Sequence, residues 1–135
     1  MGFSLPAAIT ASLCNPGTPV IAFTGDGGIG MVLAELETLA RLDLPVVVVV
    51  FNDSALSLIA VKQQPTDHGG SAVVTYAPTD FATIAKACGI RSWSVSDPED
   101  FRTTLAEAIE LGKPCLIDVM VDPRPYADVY AALRE

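Results

Sequence analysis

The segment from Val46 to Phe51 reads VVVVVF, with Leu44-Pro45 before it and Asn52-Asp53 after it. An apolar strand without polar alternation has no face for water, so it belongs in a parallel sheet covered by helices on both sides. The run is too short for a membrane: Leu44 to Phe51 is apolar throughout, against the roughly 20 residues a spanning helix needs. Shorter apolar runs at Val20–Thr24, Trp93–Val95 and Leu116–Val121 read as further strands. Helical spacing fills the intervals. Phe81, Ile84, Ala85 and Cys88 form one stripe, with Thr79 as the expected N-cap and Gly89 as the stop. Phe101, Leu105, Ala108 and Ile109 form another, opened by Asp97-Pro98 and closed by Gly112 and Pro114. Residues 4–14 and 29–42 read as two more helices. Alternating strands and helices predict an α/β fold: a doubly wound, mostly parallel sheet with helices on both faces.

Length and charge narrow the function classes. The 135 residues suit a single domain, 1–135, and 50% apolar with 18% charged residues excludes intrinsic disorder. Sixteen acidic against eight basic residues give a net charge of −8, which disfavours nucleic acid and anionic membrane surfaces as partners. No Lys or Arg precedes Arg41, so the opening MGFSLPAAITASLC lacks the basic flank of a signal peptide. Cys14, Cys88 and Cys115 form no CxxC pair and read as buried small residues of a reduced, cytoplasmic protein.

In an open α/β sheet, ligands bind outside the carboxyl ends of the strands. Two strand ends carry unusual polar groups: Thr24-Gly25-Asp26-Gly27-Gly28, and Asn52-Asp53-Ser54. Each alone reads as a turn, Asp26 as an N-cap and Asn-Asp as a strand exit. Together they stand on one βαβ unit. If the strands are neighbours, about 4.8 Å apart, Asp26 and Asn52 project from one edge. Asp26 offers a carboxylate, Asn52 an amide oxygen and Ser54 a backbone carbonyl. Such hard oxygens suit Mg²⁺ that completes its shell with substrate phosphate and water. Gly25, Gly27 and Gly28 let a phosphate approach the backbone, and a helix opening near Ile29 offers amide hydrogens.

The segment GDGGIGMVLAELETLARLDLPVVVVVFND resembles the diphosphate-binding motif of thiamine-diphosphate (ThDP) enzymes, and MGFSLPAAITASL resembles the helix and loop that precede it. The nearest flavour is the C-terminal domain of the acetolactate synthase and benzoylformate decarboxylase branch. The resemblance implies that Asp26, Asn52 and the Ser54 carbonyl hold Mg²⁺. It implies that Gly2, Gly25, Gly27, Gly28, Ala55 and Leu56 help bind ThDP, with Met1 as the bulky apolar residue beneath the bent cofactor. It further implies an N-terminally incomplete fold, a piece of a larger enzyme that begins inside a cofactor loop. Leu56-Ser57 departs from the aromatic-Gly pair frequent in the family, which bears on substrate choice more than on cofactor binding.

The family's essential glutamate belongs to a pyrimidine-binding domain, in the same enzyme or a second subunit. Nothing here resembles that domain, so no catalytic residue is assigned, and the chain is expected to be inactive alone. The implied activity is that of a lyase or transferase acting on a 2-oxo acid, in a homo-oligomer. A non-catalytic assembly or interaction module is the alternative. A nucleotide-binding domain is disfavoured because there is no GxGxxG and no Walker lysine. His68, beside Gly69-Gly70, reads as a solvated loop residue before a proton relay. Trp93 reads as core or interface, and Tyr126 and Tyr130 as one packed face of a final helix. Glu99, Asp100, Glu107 and Glu110 read as a solvated helix face.

Overall fold

The computed structural model of the chain describes residues 1–62 and 74–132. The segment carrying His68, Gly69 and Gly70 lies outside the described residues. Among those described, four strands form one all-parallel sheet: β1 (Val20–Gly25), β2 (Val46–Asn52), β3 (Arg91–Val95) and β4 (Cys115–Met120), in the order β1-β2-β4-β3. Helices α1 (Ser4–Cys14), α2 (Asp26–Gly30), α3 (Glu35–Arg41), α4 (Ser57–Lys62), α5 (Phe81–Ala87), α6 (Pro98–Leu111) and α7 (Tyr126–Ala132) complete the element order.

The valine run explains the layering. Val46, Val48 and Val50 point into a core shared with Leu5, Ile9, Ile29, Leu36, Leu39 and Phe81, on the side of α1, α2, α3 and α5. Val47 and Val49 point the other way, against Ile117 and the α6 residues Phe101, Leu105, Ala108 and Ile109. A side chain of either parity meets a helix layer, so polar alternation would bury unpaired polar groups on one face. The edge strand differs. On the α6 side, Ile21 and Phe23 of β1 stay 38% and 54% exposed, because α6 covers only the other three strands.

Two expected helix boundaries are corrected. The single helix over 29–42 is two helices: α2 starts at Asp26 itself, and Met31–Ala34 are not α-helical. In between, Val32 donates to Ile29, Glu35 to Val32 and Leu36 to Leu33, bonds of three-residue span that turn the chain more tightly than an α-helix. The cap of α5 is Asp80, not Thr79: its carboxylate accepts Thr83 N–H at 2.7 Å. The expected ends of α6 stand, with Asp97 accepting Glu99 N–H and Gly112 at φ 61° closing it. The cysteines are also corrected, since Cys115 is buried, Cys88 half-buried and Cys14 exposed. The helix face carrying Glu99 and Glu107 is solvated as expected, and both residues also form exposed ion pairs, with Arg102 and Arg91.

Candidate active site

β1 and β2 are direct neighbours in parallel register, with Gly25 opposite Phe51. Both strands therefore end at one sheet edge, and Asp26 and Asn52 follow side by side. Both are buried, at 5% and 1% exposure. A buried carboxylate needs donors. Asp26 Oδ1 accepts Gly27 N–H at 2.7 Å, Oδ2 accepts Ala55 N–H at 3.3 Å, and the Tyr76 hydroxyl bonds to the same carboxylate. Burial, reinforced by that bond and by the charges of Asp26 and Asp53, pushes the Tyr76 hydroxyl well above the ordinary phenol range.

Asn52 Oδ1 accepts Ser54 N–H at 3.3 Å. The Asp26 carboxylate and the Asn52 amide oxygen thus face the consecutive amides of Ala55 and Ser54. Ser54 has φ 58°, a left-handed bend that folds the loop back over the strand ends. Its carbonyl accepts Tyr76 N–H at 3.1 Å, and a carbonyl oxygen has a second lone pair. Asp53 stands beside them: it accepts the same Ala55 N–H at 3.0 Å and the Ser57 hydroxyl at 2.6 Å, which fixes the entry to α4. Among the described residues no three His, Cys, Asp or Glu side chains cluster as a metal site, so a cation here would draw on mixed donors: carboxylate, amide and carbonyl.

A cavity of about 570 Å³ opens over these strand ends. Met1, Gly2, Gly25, Asp26, Gly27, Gly28, Ala55 and Leu56 line it, with Tyr126, Phe23 and Phe51 on its apolar side. Asn52 and Ser54 are not among the residues that line it, while their chain neighbours Asp53 and Ala55 are. The rings of Phe23 and Phe51 stack at 6.0 Å. At Gly27 a Cβ would meet the Leu56 Cδ2 at 2.4 Å and the Met1 Cε at 3.2 Å, so any side chain there would have to displace Leu56. At Gly28 a Cβ would lie 2.6 Å from Thr24 Oγ1. Glycine lets the backbone of this turn lie close against the cavity, although the Gly27 N–H itself is taken by Asp26 Oδ1.

The sequence is matched over residues 1–119 by the family model described as "Thiamine pyrophosphate enzyme, C-terminal TPP binding domain". The chain belongs to this family. As a thiamine pyrophosphate enzyme domain it is similar to the acetolactate synthase of Bacillus subtilis (strain 168), 35% identical over 122 residues, covering 90% of this chain and 21% of that protein. It is also similar to a 2-hydroxyacyl-CoA lyase of Oryza sativa subsp. japonica, 33% identical over 129 residues, covering 91% of this chain and 22% of that one. Among solved structures, the thiamine diphosphate-dependent 4-hydroxybenzoylformate decarboxylase of Rhodococcus jostii RHA1 superposes with a TM-score of 0.78 at 28% identity, covering 90% of this chain and 23% of that one. The chain therefore spans about a fifth of the length of the curated relatives it matches.

The doubly wound α/β fold expected of the family is present. Two residues beside the site, Tyr76 and Asp118, were not singled out from the sequence, and Thr79 was read only as a helix cap. Asp118 carries a signal that could have found it. It is a carboxylate inside the apolar strand LIDVM, 2% exposed, and a charge in such a place must have partners. Tyr126 and Tyr130 do share the terminal helix α7, but Tyr126 lines the cavity, while Tyr130 lies under the Lys62 ammonium at 5.6 Å. Trp93 packs on the α6-side core, with the Arg91 guanidinium 5.1 Å from its ring centroid. No helix among the described residues is long and apolar enough to cross a membrane.

Proposed function

We propose that the chain is the Mg²⁺- and diphosphate-binding domain of a ThDP-dependent lyase or transferase acting on 2-oxo acids, similar to acetolactate synthase. The observation that carries this is the convergence of the Asp26 carboxylate and the Asn52 amide oxygen on the Ser54–Ala55 turn. They stand beside a glycine turn that a Cβ would obstruct. In this reading Asp26, Asn52 and the Ser54 carbonyl would hold Mg²⁺ together with diphosphate and water oxygens. The backbone at Gly25, Gly27, Gly28, Ala55 and Leu56 would hold the diphosphate, and Met1 and Gly2 would contact the rest of the cofactor. Bound ThDP supplies a thiazolium that accepts the electron pair released at the substrate carbon.

The chain's own residues bind and orient. Asp26 neutralises the cation that the phosphates bring. The Phe23–Phe51 side of the cavity keeps water away from the apolar part of the cofactor. None of these residues is assigned proton transfer, so the reading includes a pyrimidine-binding domain, in the same polypeptide or a second subunit, that provides the acid. The chain alone is then inactive, and the working form is a cytoplasmic homo-oligomer. The uncovered Ile21 and Phe23 face supports a neighbour on that side, and it is also what a purely structural assembly module would present.

Calorimetric titration of the full protein with ThDP separates these readings. Binding that requires Mg²⁺ and is lost in Asp26→Ala is expected. Tight binding indifferent to Mg²⁺, or no binding with self-association intact, contradicts the enzyme reading.

A further inference from the structure

A carboxamide can sit in either of two orientations of nearly identical shape, and only its hydrogen-bond partners decide which end is oxygen. At Asn52 this choice decides whether the strand end offers a cation an oxygen or an NH₂ group. We propose that Asp118 is the positioning residue that makes the choice, turning the Asn52 oxygen toward the cation before any cation arrives. The proposal rests on the metal-site reading above and names a residue that reading leaves out.

Asn52 Nδ2 donates to Asp118 Oδ1 at 3.0 Å and to the Thr79 carbonyl at 2.9 Å, which uses both of its hydrogens. Its Oδ1 is left facing Ser54 N–H and the Asp26 side of the edge. A flipped amide would press its oxygen against a carboxylate and a carbonyl while aiming its NH₂ at the Ser54 N–H. All these contacts would then be like-to-like.

Asp118 is suited to enforce this because it cannot itself turn away. On β4 it pairs in register with Val50, one side-chain repeat back from Asn52, and so lies on the same face of the sheet. Its Oδ2 accepts Phe81 N–H at 3.0 Å, and the Ala82 N–H adds a further bond at the start of α5. A carboxylate locked by backbone donors is a fixed acceptor. Thr79 and Phe81 flank the Asp80 cap, so the loop that supplies the second acceptor is held by the same helix start.

Asp118→Asn keeps the shape and removes the charged acceptor. The new amide keeps its oxygen for the Phe81 N–H and turns its NH₂ toward that of Asn52, so this contact now opposes the orientation that only Thr79 and Ser54 still favour, and the Asn52 oxygen is no longer held in place. The full protein is titrated with Mg²⁺ at saturating ThDP by calorimetry, and its Tm is measured separately in EDTA without cofactor. We expect the Mg²⁺ half-saturation point to rise about 10- to 100-fold, the usual effect of losing an outer partner of a metal ligand. A lowered Tm with an unchanged Mg²⁺ requirement overturns the proposal, because a merely structural role predicts that pattern. Should Asp118→Asn fail to fold, a neutron structure of the cation-free wild type decides. Deuterons on the Asn52 atom facing Asp118 and Thr79 support the assignment, and deuterons on the atom facing Ser54 refute it. Wild-type protein that binds ThDP without Mg²⁺ refutes the underlying metal-site reading instead, so the two failures are distinct.

Discussion

Replacing Gly27 by alanine adds one methyl group, and the structure fixes what that methyl meets. Its carbon would lie 2.4 Å from Leu56 Cδ2, where carbon atoms in contact keep about 3.5–4.0 Å. The Leu56 side chain must therefore retreat by about 1–1.5 Å. Overpacking costs about 1–3 kcal/mol, and the lower end applies because Leu56 lines an open cavity and its far end can swing. Alanine in place of glycine within α2 returns about 0.5–1 kcal/mol of backbone entropy. Stability should therefore change by less than about 1 kcal/mol.

Affinity should respond differently. The methyl and the displaced Leu56 both intrude where the diphosphate would approach the amides. Losing one hydrogen bond to a charged group costs about 1.5–3 kcal/mol, or about 10- to 100-fold in ThDP affinity. Gly30→Ala is the control in the same helix, since a Cβ there meets nothing within 4 Å. It should bind ThDP as the wild type does and unfold slightly later. Calorimetry at fixed Mg²⁺ and thermal unfolding measure both quantities. Gly27→Ala binding within about threefold of wild type would refute the close approach assigned to this turn.

Three further outcomes follow from the fold. Gly112→Ala forces an alanine into φ 61° at the end of α6 and should destabilise the protein by about 1 kcal/mol in urea unfolding, opposite in sign to Gly30→Ala. The Asp80 carboxyl is held below the usual range by the Thr83 hydroxyl and N–H. Its contribution is present above the unfolded-state pKa of about 3.9 and disappears as pH falls through the lower folded value. Tm against pH for wild type and Asp80→Ala should therefore separate near neutrality and converge in acid; a gap that widened in acid would contradict the cap. Exposed Cys14 should react promptly with a thiol reagent, while Cys115, buried and with its thiol pushed up by that burial, should react only on unfolding.

The parallel sheet was legible in the sequence because Val46–Phe51 has no polar parity, and only a layer on each side satisfies that. The pairing of Asp26 with Asn52 was legible because both stand at strand ends, where one βαβ step decides adjacency. The break within 29–42 was not legible. The apolar stripe of Val32, Leu33 and Leu36 continues through it, and only the three-residue bonds reveal that the chain tightens there. The choice of Asp80 over Thr79 as cap was equally hidden, since both are good caps. What decides is that the Thr79 carbonyl is drawn to Asn52 across 27 residues of sequence. Asp118 is 66 residues from the amide it contacts, and only the β2–β4 adjacency brings them together. Local pattern carried the elements and the strand-end motifs; the second layer of the site depended on strand order.

The most direct measurement is a crystal structure of the full protein grown with ThDP and Mn²⁺ in place of Mg²⁺, with the metal placed by its anomalous signal. One peak is expected, bonded to the Asp26 carboxylate, the Asn52 amide oxygen and the Ser54 carbonyl, with the diphosphate over Gly27. A metal bound through Asp53, or a cofactor seated away from the β1 and β2 ends, would contradict it.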